Sequence, residues 1–230
     1  MRLDRLLGNQ PHLNRQHGRL LLACGRVRVD GQVCRDGHFE VRDFHRVELD
    51  GELLQAGKAA RYFMLHKPSG VVSATWHAEH RTVIDLLDEP QVHDLHLAGR
   101  LDLTTSGLLL ITNDGRWSRR ATAPDGNHAK VYRVETEQDI DPACIEAFAN
   151  GLYFAYENLT TRPALLQIDA PRSARLTLFE GRYHQVKRMF GQFRNKVIGL
   201  HRECLGAINL DPTLAPGAYR PLDQAEIDSV

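Results

Sequence analysis

The 230-residue sequence contains no apolar run that approaches the ~20 consecutive residues required for a membrane-spanning helix. Its first ten residues, MRLDRLLGNQ, also lack the apolar core of a secretory signal peptide. These two absences argue against an integral membrane protein and against a secreted protein. We therefore expect a cytoplasmic protein that has no membrane partner.

The sequence also has few cysteines and no CxxC pair, since Cys24, Cys34, Cys144 and Cys204 are scattered along the chain. Because disulfide frameworks and zinc sites need suitably spaced ligands, we expect these thiols to be reduced. The twelve histidines show no metal-ligand spacing on a recognisable helix. A P-loop, a dinucleotide-binding fingerprint and an HExxH motif are absent as well. The sequence therefore predicts neither a metal nor a nucleotide cofactor.

Formal net charge is zero, but the charges are unevenly distributed along the chain. Residues 172–202 contain eight Lys or Arg and one acidic residue, and residues 1–30 contain six Arg and two Asp. Residues 134–171 contain seven acidic residues and one Arg. Two basic segments in a neutral protein favour a polyanionic partner that is contacted at two places. The alternative is that these runs are ordinary solvated surface.

Residues 1–58 have the pattern of a small separate domain that begins with two helices. The first helix is predicted over residues 2–10, where three leucines share one side. The second is predicted over residues 15–24, with Asn14 as its N-cap and Gly25 at its end.

Two hairpins are predicted after the helices. Asp30-Gly31 lies between alternating apolar residues, and Asp50-Gly51 repeats the same device. The stretch LLQAGKAAR, residues 53–61, is small and polar and reads as a linker into a second domain, residues 59–230.

The second domain is predicted to be an α+β domain with a largely antiparallel sheet, because strand-like runs dominate without a regular βαβ alternation. Helical spacing occurs over residues 141–151 and residues 184–193. The β-branched and aromatic runs that predict strands cover residues 61–68, 106–114, 128–136, 164–171 and 173–181.

The helix-plus-hairpin unit of the first domain resembles the alpha-L (S4-like) RNA-binding module. The resemblance lies in Arg2-Leu3-Asp4, Asn14-Arg15 and the stretch from Gly25 to Gly31. It implies that basic side chains of this module contact RNA, and the alternative is a structural hairpin domain with surface arginines. The side chains concerned are Arg2, Arg15, Arg19, Arg26 and Arg28.

Four ordered motifs in the second domain resemble the pseudouridine synthases, specifically the branch that acts on small-subunit ribosomal RNA. The motifs are HKPSGVVS at 66–73, GRLDLTTSGLLLITNDG at 99–115, KVYRV at 130–134 and EGRYHQVKRMF at 180–190. The resemblance implies a catalytic domain with a mainly antiparallel mixed sheet. It also implies a monomer without a cofactor that isomerises a uridine in 16S ribosomal RNA or in the assembling small ribosomal subunit.

The resemblance assigns three residues to the reaction. Asp102 matches the catalytic aspartate, Tyr132 matches the tyrosine that packs on the target base, and Lys187 matches the basic partner of the aspartate. Taken singly, each has an ordinary structural reading. A turn aspartate accepts backbone hydrogen bonds, a tyrosine in an alternating strand is core, and a lysine at a helix start contacts phosphate.

A uridine inside structured RNA must be flipped out of its stack before a carboxylate can reach it. Arg100 matches the family position that contacts RNA near the flipped nucleotide. His66 and Lys67 are expected to support the loop of Asp102 from a strand end. Further residues expected along the RNA path are Arg182, His184, Gln185 and Arg188.

Two other functions are compatible with parts of this pattern. A non-catalytic rRNA-binding assembly factor would explain the basic segments and the first domain, but not the three reaction residues together. A glycoside or nucleoside hydrolase could use Asp102, but most such enzymes need a second carboxylate in the site. Release of free uracil would identify the hydrolase.

Overall fold

A computed structural model of the chain describes residues 1–123, 126 and 128–230. These residues form two compact units, residues 1–60 and residues 61–230. No helix in the described part of the chain has the length and apolar character needed to cross a membrane.

The first unit packs two helices with a four-stranded antiparallel sheet of order β2-β1-β3-β4. Asp30 and Gly31 have φ angles of 49° and 79°, and Asp50 and Gly51 have φ angles of 54° and 86°. Two successive residues with positive φ are characteristic of a type I′ turn, so both predicted hairpins are confirmed. The elements are α1 (Leu3–Gly8), α2 (Arg15–Ala23), β1 (Val27–Val29), β2 (Gln32–Val33), β3 (Val47–Leu49) and β4 (Glu52–Gln55).

Two further predictions for this unit concern the N-cap of α2 and the linker over residues 53–61. The side chain of Asn14 accepts a hydrogen bond from the backbone N–H of His17 at 2.7 Å, which confirms the predicted N-cap. The linker prediction over residues 53–61 is wrong at its beginning, because Leu53 pairs with Glu48 inside the sheet. Leu54 packs against the apolar core of the unit, so this segment is a strand and not a linker.

The second unit is built on a nine-stranded mixed sheet whose path runs β11-β12-β8-β13-β7-β5-β15, with β14 on β13 and β6 on β7. Among the described strands only β7 and β13 pair in parallel, which confirms the predicted mainly antiparallel mixed sheet. The nine strands are β5 (Tyr62–Lys67), β6 (His96–Ala98), β7 (Ser106–Thr112), β8 (Lys130–Thr136), β11 (Leu165–Ala170), β12 (Ser173–Leu178), β13 (Val197–Leu205), β14 (Ile208–Asn209) and β15 (Tyr219–Pro221). The strands β9 (Tyr153–Phe154) and β10 (Leu159–Thr160) pair in a separate two-stranded sheet. The helices are α3 (Gly115–Thr122), α4 (Ala143–Asn150), α5 (Gln185–Gln192) and α6 (Gln224–Asp228), with 3-10 turns at Ile84–Leu86 and Val92–Asp94.

All five predicted strand runs of this unit contain strands, and both predicted helices form as α4 and α5. The helix α3 and the long strand β13 were not predicted. The β13 sequence VIGLHRECL combines a glycine with His, Arg and Glu, so its apolar residues do not form the run that signals a central strand.

Both faces of the sheet are covered, and β7 shows why its sequence is apolar throughout. Leu109 belongs to the cluster on one face together with Phe148 of α4 and Phe190 of α5. Leu108 belongs to the cluster on the other face together with Trp117 of α3. A strand buried on both faces reads as a continuous apolar run, and the loops at its ends are thereby fixed.

Gly107 near the start of β7 has a φ angle of 108° and lies against the backbone of Arg202 on β13. A Cβ atom there would collide with that backbone. We expect Gly107→Ala to lower the free energy of unfolding by more than about 2 kcal/mol. Urea denaturation measures the change.

The control for this substitution is Gly191→Ala in α5, where an added Cβ meets no atom within 4 Å. Alanine favours a helix, so this variant should gain roughly 0.5–1 kcal/mol. Equal effects of the two substitutions would contradict the role assigned to Gly107.

Candidate active site

Asp102 lies in the loop between β6 and β7, and a buried lysine fixes the backbone of that loop. Lys67 is 0% exposed at the end of β5. Its Nζ donates hydrogen bonds to the carbonyl oxygens of Pro68 at 3.0 Å, Leu103 at 3.3 Å and Thr105 at 2.8 Å. Two of these three carbonyls belong to residues one and three positions after Asp102, so the ammonium group sets the course of the loop.

The other side of Asp102 is held by Ser73. Its hydroxyl donates to the carbonyl oxygen of Leu101 at 2.7 Å and accepts from the Leu101 N–H at 3.1 Å. The hydrogen bonds from Lys67 to Leu103 and Thr105 confirm the expected support of the loop by that lysine. The same expectation for His66 is wrong, because its Nδ1 lies 2.7 Å from the carbonyl oxygen of Leu214.

The carboxylate of Asp102 faces two basic side chains from the start of α5. Lys187 Nζ lies 3.4 Å from Oδ2, and His184 Nε2 lies 3.6 Å from Oδ1. Lys187 also donates to Thr104 Oγ1 at 2.9 Å, which ties it to the same loop. His184 has a φ of 49°, an unusual backbone conformation for a histidine, immediately before α5 begins. The half-buried carboxylate is thus held between two cationic or potentially cationic groups.

A cavity of about 700 Å³ opens beside the carboxylate, and both Asp102 and Tyr132 line it. Tyr132 lies on β8, directly opposite Leu176 of β12 and Arg202 of β13. It is 8% exposed and belongs to the apolar cluster on the α4–α5 face of the sheet. The cavity therefore combines a carboxylate, an aromatic ring and a volume within the range of small-ligand sites.

Arg100 and Arg182, two predicted RNA contacts, also line the cavity. Arg100 is exposed, and no hydrogen bond or ion pair to a described residue involves its guanidinium group. Arg182 Nε donates to Glu180 at 2.9 Å. The two arginines thus differ, since Arg100 is available to a ligand while Arg182 already has a carboxylate partner.

Two further predicted RNA contacts, Gln185 and Arg188, are engaged inside the protein. Gln185 is 3% exposed, and its side chain accepts from the Arg182 N–H and donates to Glu180 at 2.7 Å. Arg188 forms a two-pronged ion pair with Glu157 and lies over the ring of Phe154. These bonds position the segment before α5 rather than leave the two groups free.

Glu180 is a second carboxylate at the cavity that the sequence analysis did not count as part of the site. It is buried, and both its oxygens accept hydrogen bonds, from the Arg162 N–H, Arg182 and Gln185. A carboxylate with these partners orders the loop. The sequence feature that could have indicated a role for Glu180 is its position as the single acidic residue in the basic run 172–202.

Much of that basic run is neutralised by acidic side chains, all but one of them from outside the run. The run is therefore not one continuous free cationic surface. The pairs are Arg172 with Asp139, Arg175 with Glu203, Arg182 with Glu180, Lys187 with Asp102, and Arg188 with Glu157.

Five arginines of the first unit were predicted to bind RNA, and two of them are exposed on α2 without a described partner. These two are Arg15 and Arg19. The other three make local contacts: Arg2 with Asp4, Arg26 with Asp50, and Arg28 with the carbonyl oxygen of Gly31.

Burial lowers the pKa of Lys67 to about 8, opposed by the negative charge of Asp102, while Lys187 lowers it further. Within the described residues no group of three or more His, Cys, Asp or Glu side chains could hold a metal ion. The groups that line the cavity include the carboxylate of Asp102, the ring of Tyr132 and the basic side chains of Arg100 and Arg182.

Residues 61–192 match the family model described as RNA pseudouridylate synthase. This range contains the loop of Asp102, the strand β8 and the helix α5. The chain belongs to this family. A synthase relative, ribosomal small subunit pseudouridine synthase A of Pseudomonas aeruginosa, is 61% identical over 100% of both chains. The protein of the same name from Escherichia coli K12 is 45% identical over 100% of both chains.

A solved structure described as a pseudouridylate synthase has the same fold, with a TM-score of 0.73 and 37% sequence identity. The match covers 100% of this chain and 99% of that one. The likeness to a pseudouridylate synthase thus extends over both compact units as well as the cavity.

Lys67→Met would leave three backbone carbonyl oxygens, two of them in the loop of Asp102, without their donor. We therefore expect a loss of about 2–4 kcal/mol in the free energy of unfolding at pH 7. In the folded wild type Lys67 loses its proton near pH 8, but in the unfolded chain only near ~10.4. The unfolded state binds more protons in that window, so wild-type stability rises with pH relative to the variant.

Urea denaturation at several pH values between 7 and 10 measures this difference. Lys196→Met, which removes an exposed lysine outside the cavity, is the control and should show no such trend. A deficit of Lys67→Met that narrows as the pH rises would contradict the lowered pKa.

Proposed function

We propose that this chain isomerises a uridine of small-subunit ribosomal RNA to pseudouridine. The observation that supports it most directly is the carboxylate of Asp102, held on a fixed loop 3.4 Å from Lys187 at a cavity that Tyr132 also lines. The full-length relatives named above carry this activity and this ribosomal subunit in their names. The target that we propose is uridine 516 of 16S RNA, the site implied by the resemblance to the branch that acts on small-subunit ribosomal RNA.

The reaction exchanges one bond between base and sugar for another. The bond from uracil N1 to ribose C1′ breaks, the base turns, and C5 bonds to C1′ while the C5 proton leaves. Atoms and electrons balance without an oxidant or an energy source. A site built from side chains alone can therefore perform it.

Asp102 is the residue that we propose acts on the nucleotide. Its carboxylate can attack the anomeric carbon or the base, or it can deprotonate the sugar that develops as the bond breaks. Lys187 attracts the carboxylate, and His184 lies 3.6 Å from its other oxygen, so the two side chains fix its direction. The Lys187 and Asp102 side chains keep 29% and 28% of their surface exposed, so water screens the pair. It contributes only about 0–1 kcal/mol to stability, and its value is in positioning.

The target base has to leave the RNA stack to reach this carboxylate. The cavity of about 700 Å³ accommodates one nucleotide, and the ring of Tyr132 offers a stacking surface. Stacking on an aromatic ring contributes about 1–3 kcal/mol per base. Arg100 is exposed at the same cavity and supplies a cation for the neighbouring phosphates.

The remaining residues of the predicted RNA path receive different roles in this proposal. His184 belongs beside Asp102 rather than on the RNA, and Gln185 orders the loop through Glu180. Arg182 and Arg188 keep their charge near the RNA path, although each already pairs with a carboxylate.

The first unit is proposed to be an alpha-L (S4-like) module that holds RNA by its phosphates. Arg15 and Arg19 on α2 are its most available cations, while Arg2, Arg26 and Arg28 also keep charges at its surface. Binding of this type weakens as salt concentration rises. We also propose that the protein acts as a monomer in the cytoplasm, on free rRNA or on the assembling small subunit.

Asp102→Asn keeps the size of the side chain but removes the carboxylate, so we expect loss of pseudouridine formation by at least about 10³-fold. The assay incubates purified protein with small-subunit rRNA and maps pseudouridine chemically at each position. Asp139→Asn makes the same change outside the cavity and should retain activity.

Full activity of folded Asp102→Asn would remove the carboxylate from the mechanism. Stoichiometric RNA binding by the wild type without turnover would favour an assembly factor instead, and free uracil would favour a hydrolase.

A further inference from the structure

Two buried side-chain polar atoms in residues 1–123, 126 and 128–230 lack a hydrogen-bond partner, and both belong to residues that line the same cavity. They are Oγ1 of Thr105 and Nη2 of Arg202. Thr105 is 1% exposed and Arg202 is 2% exposed. Because buried polar groups almost always find a partner in a folded protein, two orphans at one cavity point to a ligand that supplies both.

Arg202 is fixed in the centre of the sheet beside the proposed stacking ring. It lies on β13 directly opposite Tyr132 of β8, and opposite residues on paired strands project to the same face. Its Nε donates to the carbonyl oxygen of Leu108 at 2.9 Å, which holds one side of the guanidinium group. Nη2 is left without a described acceptor.

Thr105 ends the loop that carries Asp102. Its backbone N–H donates to the carbonyl oxygen of Asp102 at 3.0 Å, and its own carbonyl accepts from Lys67. The backbone is thus fully engaged while the hydroxyl is not. A hydroxyl donates or accepts, and a guanidinium group only donates.

The edge of a uracil base complements this pair of groups. Uracil presents two carbonyl oxygens that accept hydrogen bonds and one N3–H that donates. We propose that Arg202 Nη2 donates to a carbonyl oxygen of the uracil bound against Tyr132, and that Thr105 Oγ1 forms a second hydrogen bond to the same base. This assignment rests on the function proposed above and adds the residues that grip the base.

The contact from Arg202 matters most during the reaction. When the N1–C1′ bond breaks with its electron pair going to the base, negative charge spreads onto the carbonyl oxygens. A buried cation that donates to one of them stabilises the detached base until C5 bonds to C1′ and the C5 proton leaves. Arg202 therefore acts as a catalytic residue as well as a binding one.

Thr105→Val tests the hydroxyl without a cost in folding, because it replaces an unpartnered buried group by an apolar one of the same shape. We expect unchanged or higher thermal stability and a single-turnover rate that falls about 3–10-fold. Thr105→Ser keeps the hydroxyl and should react close to the wild-type rate. Equal rates for the valine and wild-type proteins would overturn the role of Thr105.

Arg202→Lys keeps the positive charge but removes the second nitrogen of the fork. We expect the single-turnover rate to fall about 10–100-fold, while the affinity for rRNA, which phosphate contacts dominate, changes less than about twofold. A wild-type rate, or an equal loss of RNA affinity, would overturn the role of Arg202.

Binding of uridine monophosphate and of ribose 5-phosphate to each variant separates this inference from the proposed function. Both substitutions should weaken the binding of uridine monophosphate, by no more than the factors expected for the single-turnover rates. Neither should change the binding of ribose 5-phosphate, because that compound has no base. If this pattern appears but rRNA is not modified, the proposed function fails and the base contacts stand. If the variants bind both compounds like the wild type, or the wild type binds no uridine monophosphate, water alone fills the cavity and the inference fails.

Discussion

The ammonium group of Lys67, buried at the end of β5 and bonded to three backbone carbonyls, is the interaction on which the candidate site depends. A buried cation is costly unless its hydrogen bonds are satisfied, so the loop around Asp102 has to adopt the course that supplies those carbonyls. Ser73 fixes the preceding residue in the same way. The position of the carboxylate is thus set by the backbone, before any ligand binds.

The topology of the sheet brings the remaining groups to this loop. The strand β13 lies between β7 and β8, so Arg202 stands beside Tyr132 on one side and against Gly107 on the other. The start of α5 adds Lys187 opposite the carboxylate. Residues from separate stretches of the chain therefore meet at one cavity, and the sheet that positions them is covered by apolar clusters on both faces.

The sequence predicted the parts of this arrangement that depend on local patterns or on motif resemblance. The Asp-Gly turns, the Asn14 cap and the pairing of Asp102 with Lys187 are confirmed. The strand β13 was missed because its buried residues include Arg202. The guanidinium group of Arg202 donates a hydrogen bond to the carbonyl oxygen of Leu108 on the neighbouring strand β7, a contact that the sequence pattern does not show. The partners of Gln185 and Arg188 are also set by tertiary contacts, which a local reading of the sequence does not contain.

A crystal structure of Asp102→Asn bound to an RNA oligonucleotide that contains the target uridine tests the central claim most directly. We expect a uridine flipped out of the RNA into the cavity, with its base stacked on Tyr132 and its C1′ atom within about 3–4 Å of the side chain at position 102. A uridine that stays stacked in the RNA, or that binds outside this cavity, would contradict the account.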